Sequence, residues 1–189
     1  MGTGDGRFVL ATAAGCSDIL VIGVDANAAS MAEASRRAAK STRRGGLPNA
    51  LFVVAAAESL PHDLDGLADA VTIHFPWGSL LRGLLSADVA LLQALARVTR
   101  SGAAVTVLLS VTPRDNLDGL ESIGERTFGR LAGDYATQGL TLVGARPAEA
   151  DDLARSHSTW AKRLGARAGR PAWLVRFRRD ARNECSSFR

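Results

Sequence analysis

The stretch MGTGDGRFVLATAAGCSDILVIGVDAN, residues 1–27, decides the fold class. Gly2, Gly4 and Gly6 come first, spaced by one residue each. Residues 7–15 then read as a helix, with Phe8, Val9, Leu10 and Ala11 offering apolar surface. Ile19 to Val24 is a short apolar run that ends on Asp25. Runs of this kind, bounded by polar ends, suit strands buried on both faces of a parallel sheet. Glycines ahead of the helix let the backbone take up positive φ and pass close to a ligand. A carboxylate at the end of the strand, about 20 residues on, can accept both hydroxyls of an adenosine ribose. A plain glycine turn beside a surface aspartate fits the same residues.

Outward from this unit, strands and helices continue to alternate. Residues 28–40 are Ala-rich and helical and end in a basic stretch; Gly45, Gly46 and Pro48 break the chain. Leu51 to Ala55 is the next strand, residues 60–68 a turn or short helix, and Val71 to Phe75 a further strand ended by Pro76 and Gly78. Residues 87–99 are helical, with Val89, Leu92, Leu95 and Ala96 at helical spacing; Ser101-Gly102 closes that helix. Ala104 to Leu109 is a strand, 117–137 mostly helix, Leu140 to Gly144 a weak strand, 150–165 helix or loop, and Ala172 to Phe177 a last strand. Such alternation predicts an α/β fold: one mostly parallel sheet with helices on both faces. No internal repeat or linker divides the chain. Residues 1–179 read as one domain and 180–189 as a polar tail.

Composition narrows the chemistry. The 189 residues are 47% hydrophobic and 22% charged, which suits one globular domain and argues against wholesale disorder. No apolar run reaches the roughly 20 residues needed to span a bilayer, and MGTGDGRFVL does not read as a signal peptide. Cys16 and Cys185 fit a reducing compartment, hence the cytoplasm, better than a disulfide framework. With His62, His74 and His157 scattered, no metal constellation stands out. Charge is uneven: residues 1–154 carry 13 basic against 17 acidic side chains, whereas residues 155–189 carry 10 against 2. Of the 23 basic residues 21 are arginine, whose forks match phosphate geometry, so a polyanionic partner is plausible beside the alternative of a solvated surface.

The glycines also discriminate between cofactors. A dinucleotide fingerprint wants Gly-x-Gly-x-x-Gly, and its third position here is Arg7. S-adenosylmethionine has no phosphate and does not need that glycine. Glu58, in Ala55-Ala56-Ala57-Glu58-Ser59-Leu60-Pro61, follows the second visible strand, where adenine edges are met in such folds.

Read together and in order, GTGDGRFVLA, IGVDAN, SRRAAKSTRRGGLPN, AAAESLP, FPWGSLL and STWAKRLGARAGR resemble the aminoglycoside-resistance 16S rRNA methyltransferases that modify adenine-1408 at N1, the kanamycin–apramycin group. The resemblance runs to about residue 179 and rests most on FPWG and STWAKRL. It implies a Rossmann-like class I methyltransferase fold that uses S-adenosylmethionine and acts, as a monomer, on 16S rRNA in the assembled 30S subunit. It implies that Trp77 and Trp160 sandwich the flipped adenine, and that Gly2, Gly4, Gly6, Asp25, Glu58, Ser79 and Ser158 surround the cofactor. Arg36, Arg37, Lys40, Arg43 and Arg44 would clamp rRNA phosphates, with Arg36, Arg37 and Lys40 on one side of their helix. Arg163 and Arg170 would contact the backbone near the flipped nucleotide. No metal and no acid–base residue is required.

The same resemblance exposes a departure. In this fold a central strand precedes the glycine loop, and here only Met1 stands in its place. The expectation is an N-terminally truncated domain that lacks its first strand, or a gap filled by another strand. Two other readings stay open: a different Rossmann-fold RNA methyltransferase of the tRNA guanine-N7 type, and a catalytically inactive RNA-binding relative.

Overall fold

The computed structural model describes residues 1–111, 117, 123–157 and 171–181. In chain order the elements are α1 (Arg7–Gly15), β1 (Val21–Asp25), α2 (Ala28–Ala38), β2 (Ala50–Val54), β3 (Ala68–His74), α3 (Gly78–Leu85), α4 (Val89–Val98), β4 (Thr99–Leu109), α5 (Glu125–Thr137), β5 (Leu140–Pro147), α6 (Ala150–Arg155) and β6 (Trp173–Arg179). Local chemistry sets several of the boundaries. The Asn27 side chain accepts the Ala29 N–H at 3.0 Å and starts α2; Asp88 accepts the Leu91 N–H at 2.9 Å and starts α4. The Asn49 amide donates to the carbonyls of Ala13, Cys16 and Ile19 at 2.9–3.1 Å, tying the end of α1 to the entry of β2.

The strands form two sheets. β1 and β2 pair in parallel, from Val21 opposite Ala50 to Asp25 opposite Val54. The second sheet has the order β3-β4-β6-β5. Its β3 and β4 are parallel, whereas β6 runs antiparallel to both β4 and β5. The free edges of β1 and β3 face each other across residues 1–3. The Thr3 N–H donates to the Val24 carbonyl at 3.1 Å, and the Met1 amine donates to the Thr72 carbonyl at 2.7 Å. No other described strand enters this seam.

From the seam the chain winds in two opposite lateral directions. α2 crosses from β1 outward to β2, and α3 and α4 cross from β3 outward to β4. Right-handed crossovers in opposite directions put their helices on opposite faces. This is the Rossmann-like arrangement, and the reversal leaves a crevice at the carboxyl ends of β1 and β3, where open α/β sheets bind ligands.

The main core lies on the β3–β4–β6 side. Leu91, Leu92 and Leu95 of α4 pack with Ile73, Val105, Val107, Val175 and Phe177, and Leu92, Leu95 and Ile73 are fully buried. The Tyr135 ring of α5 stacks on Phe177 with centroids 4.3 Å apart, and its hydroxyl donates to the Leu84 carbonyl at 2.7 Å. Among the described residues no single helix is long and apolar enough to cross a membrane.

The mostly parallel arrangement is as expected, with β6 antiparallel because it inserts between β5 and β4 and must run back from the edge where β5 ends. Strand–helix alternation carries no information on the direction of a final strand. Other expectations need correction. Residues 78–85 form α3, which the sequence reading gave no element: Pro76-Trp77-Gly78 looked like a plain stop, yet Leu81, Leu84 and Leu85 fall at helical spacing and are buried. The segment 99–103 belongs to β4, with Gly102 at a φ of 79° inside the strand. The helix expected over 117–137 is seen from Glu125; residues 112–116 and 118–122 lie outside the described residues.

Candidate active site at the carboxyl edge of the sheet

The glycine loop is a backbone device. Gly2, Gly4 and Gly6 all take positive φ, at 64°, 55° and 72°. Gly6 is the N-cap of α1, and a Cβ there would lie 2.4 Å from the Ala34 Cβ and 2.9 Å from the Phe52 ring, so α1 and α2 could not approach as they do. Gly4 differs: a Cβ on it would meet nothing within 4 Å, and this stretch of backbone faces open space. Asp25, at the end of β1, fixes the loop with both oxygens. Its Oδ2 accepts the Gly4 N–H at 2.8 Å and its Oδ1 accepts the Asn27 N–H at 2.8 Å. An ionised carboxylate offers about four lone-pair sites, so about two remain for hydroxyl donors. Glu58 stands exposed just beyond β2, on the same edge.

Across the seam, β3 ends at His74 and the chain turns sharply. Phe75 takes a left-handed φ of 48°, Pro76 is buried, and Trp77 forms the N-cap of α3 with 84% of its surface exposed. An indole left this open is unusual, because tryptophan is highly buried on average. Ser79 is exposed in the first turn of α3. His74 packs edge-on against Phe8 of α1 with ring centroids 4.5 Å apart. Burial pushes its pKa down to about 4, helped by the nearby Met1 ammonium and His157. Burial likewise lowers the Met1 amine to about 6, opposed by the Asp25 carboxylate.

The coupling of His74 to His157 matters for position. His157 follows α6 with a φ of 47° and immediately precedes Ser158. The whole β5–β6 connection starts and ends on this edge: Pro147 pairs with Trp173, the Ala148 N–H donates to the Ala172 carbonyl at 2.8 Å, and the Ser110 hydroxyl donates to the Pro171 carbonyl at 2.6 Å. Ser158, Trp160, Arg163 and Arg170 belong to that connection but lie outside the described residues. The Arg146 guanidinium bonds both Asp152 oxygens at 2.7 and 3.1 Å, which pins α6 to the end of β5 and holds the Asp152 carboxyl below its usual range.

The basic cluster sits elsewhere. α2 starts beside Asp25 and ends at Ala38, so its far end lies about 15 Å along the axis from the cofactor edge. Arg36 and Arg37 fall in the last turn, with Arg36 on Glu33 at 2.9 Å. Contrary to the expectation from spacing, Lys40 does not share their helix, because α2 stops at Ala38 and the Leu47 N–H returns to the Ala38 carbonyl at 2.9 Å. Lys40, Arg43 and Arg44 ride on the intervening turn, all exposed.

Comparison with known proteins now decides the family. The model of the NpmA family, 16S rRNA (adenine(1408)-N(1))-methyltransferase, matches residues 1–178. The chain belongs to this family. A 16S rRNA (adenine(1408)-N(1))-methyltransferase of Streptoalloteichus hindustanus is 35% identical over 171 residues, covering 88% of this chain and 79% of that protein. One from Escherichia coli is 29% identical over 173 residues, covering 87% and 78%. Among solved structures, a tryptophan-to-alanine variant of the Catenulisporales acidiphilia 16S rRNA (adenine(1408)-N(1))-methyltransferase, with the cosubstrate SAM, superposes with a TM-score of 0.87 at 30% identity, covering 98% of this chain and 86% of that one. The 16S rRNA methyltransferase KamB superposes with a TM-score of 0.84 at 31% identity, covering 96% and 86%.

As a member of the 16S rRNA adenine methyltransferase family the protein uses S-adenosylmethionine. Its carboxyl edge fits that cofactor. The open face of Gly4 admits a close ligand, Asp25 keeps acceptor capacity for ribose hydroxyls, and Arg7 at the mouth of α1 is turned onto Asp5 at 3.2 Å rather than held for a phosphate. Sequence reading missed His74 and His157 as members of this edge. A signal was present: each histidine stands three residues ahead of a tryptophan, His74 before Trp77 and His157 before Trp160.

Proposed function

We propose that this protein transfers the methyl group of S-adenosylmethionine to N1 of adenine-1408 of 16S rRNA in the assembled 30S subunit, and so confers aminoglycoside resistance. The family match over residues 1–178 supports the reaction. The single structural observation that carries it is Trp77, a solvent-splayed indole on a rigid helix start beside the Gly4–Asp25 cofactor cradle.

The reaction needs the target base outside its helix, because N1 is masked in paired or stacked RNA. Trp77 offers one flat face to the extruded adenine, and Trp160 the other. Stacking contributes roughly 1–3 kcal/mol per base, comparable to the few kcal/mol that extrusion costs, so two faces hold what one would hold marginally. Asp25 accepts the ribose hydroxyls, Glu58 meets the adenine edge of the cofactor, Gly2, Gly4 and Gly6 let the backbone approach, and Ser79 and Ser158 steady the methionine end. When bound, S-adenosylmethionine supplies the sulfonium methyl: the N1–carbon bond forms as the carbon–sulfur bond breaks, and the sulfur keeps the electron pair. Adenine N1 brings its own lone pair, so the residues of this chain act by positioning rather than as a base. Arg36, Arg37, Lys40, Arg43 and Arg44 hold rRNA phosphates at the far end of α2, and Arg163 and Arg170 hold the backbone beside the flipped nucleotide.

Primer extension on 16S rRNA from cells producing the chain tests the reading. A stop at adenine-1408 that is strongly weakened by Trp77→Ala is the expected result. Unmodified rRNA from cells that hold folded, cofactor-binding protein overturns it.

A further inference from the structure

The turn that carries Lys40, Arg43 and Arg44 closes one side of a cleft between α2 and β2. The cleft has a volume of about 260 Å³ and is lined by Ser35 and Ala39 on the helix side and by Pro48, Leu51 and Phe52 on the strand side. That is smaller than the range for drug-sized ligands and suits a single base or ribose. Its walls are mixed: Leu51 leaves 48% of its surface exposed on the outer strand of the small sheet, and Ser35 places an exposed hydroxyl opposite.

Lys40 directly follows the lining residue Ala39, and Arg43 and Arg44 lie on the turn that leads to the lining residues Leu47 and Pro48, while Arg36 and Arg37 stand on the other sides of the last turn of α2. Of these five only Arg36 is ion-paired among the described residues. The turn is also preformed. The Gly46 N–H donates to the Ser41 carbonyl at 3.1 Å, and Gly46 packs so tightly that a Cβ on it would lie 1.6 Å from the Lys40 carbonyl oxygen. A rigid array of cations loses little freedom on binding. An amphipathic slot bordered by such cations matches one chemistry: a nucleotide whose base or sugar enters the slot while its phosphates meet the cations.

We propose that this cleft takes one unpaired nucleotide of the rRNA, distinct from the methylated adenine. The proposal rests on the rRNA-methyltransferase reading above. The two sites lie at opposite ends of α2, about 15 Å apart along its axis, so the second nucleotide sets how the RNA is oriented when the target base reaches Trp77.

The test uses the full chain and purified 30S subunits. Ala39→Trp, just past the end of α2, and, independently, Ser35→Trp on α2 fill the cleft from exposed positions. Each is expected to weaken subunit binding about tenfold or more while the slope of log Kd against log salt, the cofactor affinity and the melting temperature stay as in the parent. Arg37→Glu with Lys40→Glu is expected instead to flatten that slope by about one per lost phosphate contact. A photocrosslinking side chain at position 51 is expected to attach to one nucleotide of 16S rRNA. A parent chain that binds subunits, with both tryptophan variants unchanged and no defined crosslink, overturns the cleft alone. A parent chain that binds S-adenosylmethionine but no subunit overturns the rRNA reading together with it.

Discussion

Around β1 and β2 the buried apolar side chains are Val9, Ala13, Val24, Met31, Ala34 and Ala38, whereas around β3, β4 and β6 they are mostly leucines and valines, with Ile73, Phe128, Tyr135 and Phe177 and a few alanines. Only Val24 of the first 54 residues joins the main buried cluster. Small residues let backbones approach closely, as Gly6 does against Ala34 and Phe52, but they remove little apolar surface from water. Large ones do the opposite. The Gly4–Asp25 loop and the cationic turn are therefore mounted on the lightly packed half, while the exposed indole of Trp77 is rooted in the heavily packed half, across the seam between β1 and β3.

The largest effect that would break this division is in the heavy half. Leu92→Ala, at a fully buried position, should lower global stability by about 2–5 kcal/mol in urea unfolding; a change as small as that of a surface substitution would show that the core lies elsewhere. The seam comes next. His74 has a folded pKa of about 4 against about 6.5 unfolded, because burial disfavours its cation. The unfolded chain thus binds the extra proton first as pH falls. Stability is full above about pH 6.5 and declines as the pH drops toward about 4, by at most about 3 kcal/mol. Unfolding midpoints across that window should fall for the parent and fall less for His74→Asn. The smallest effect on folding sharpens the comparison most. Trp77→Ala should cost roughly tenfold to a hundredfold in methyl transfer, measured with labelled S-adenosylmethionine and 30S subunits, with no loss of melting temperature. A clear drop in melting temperature would make the indole part of the support.

Much of this was legible in the residues. The glycine loop, the strand ending on Asp25 and the alternation of elements follow from local composition. Two things were not legible. Strand direction at the end of the chain depends on which edge the β5–β6 connection occupies, a property of tertiary pairing that no period in Trp173–Arg179 encodes. Helix α3 was hidden because Pro76 and Gly78 are breakers by type, while Leu81, Leu84 and Leu85 argue for a helix only once a core exists to receive them. The Ala-rich stretch 28–40 reads as one helix with Arg36, Arg37 and Lys40 on one side, whereas α2 stops at Ala38 and Lys40 falls on the following turn, because the chain folds back there through Leu47 and composition does not mark that stop.

Helix α3 has one more implication. It begins at Trp77 and is rooted by three buried leucines and by the Tyr135 hydroxyl on the Leu84 carbonyl. Sequence drift beneath it would swing the indole without touching any residue at the edge. With Trp77 stacking the target base as proposed, selection for activity reaches into the interior, and variants with every edge residue intact are expected to lose activity when these leucines change size.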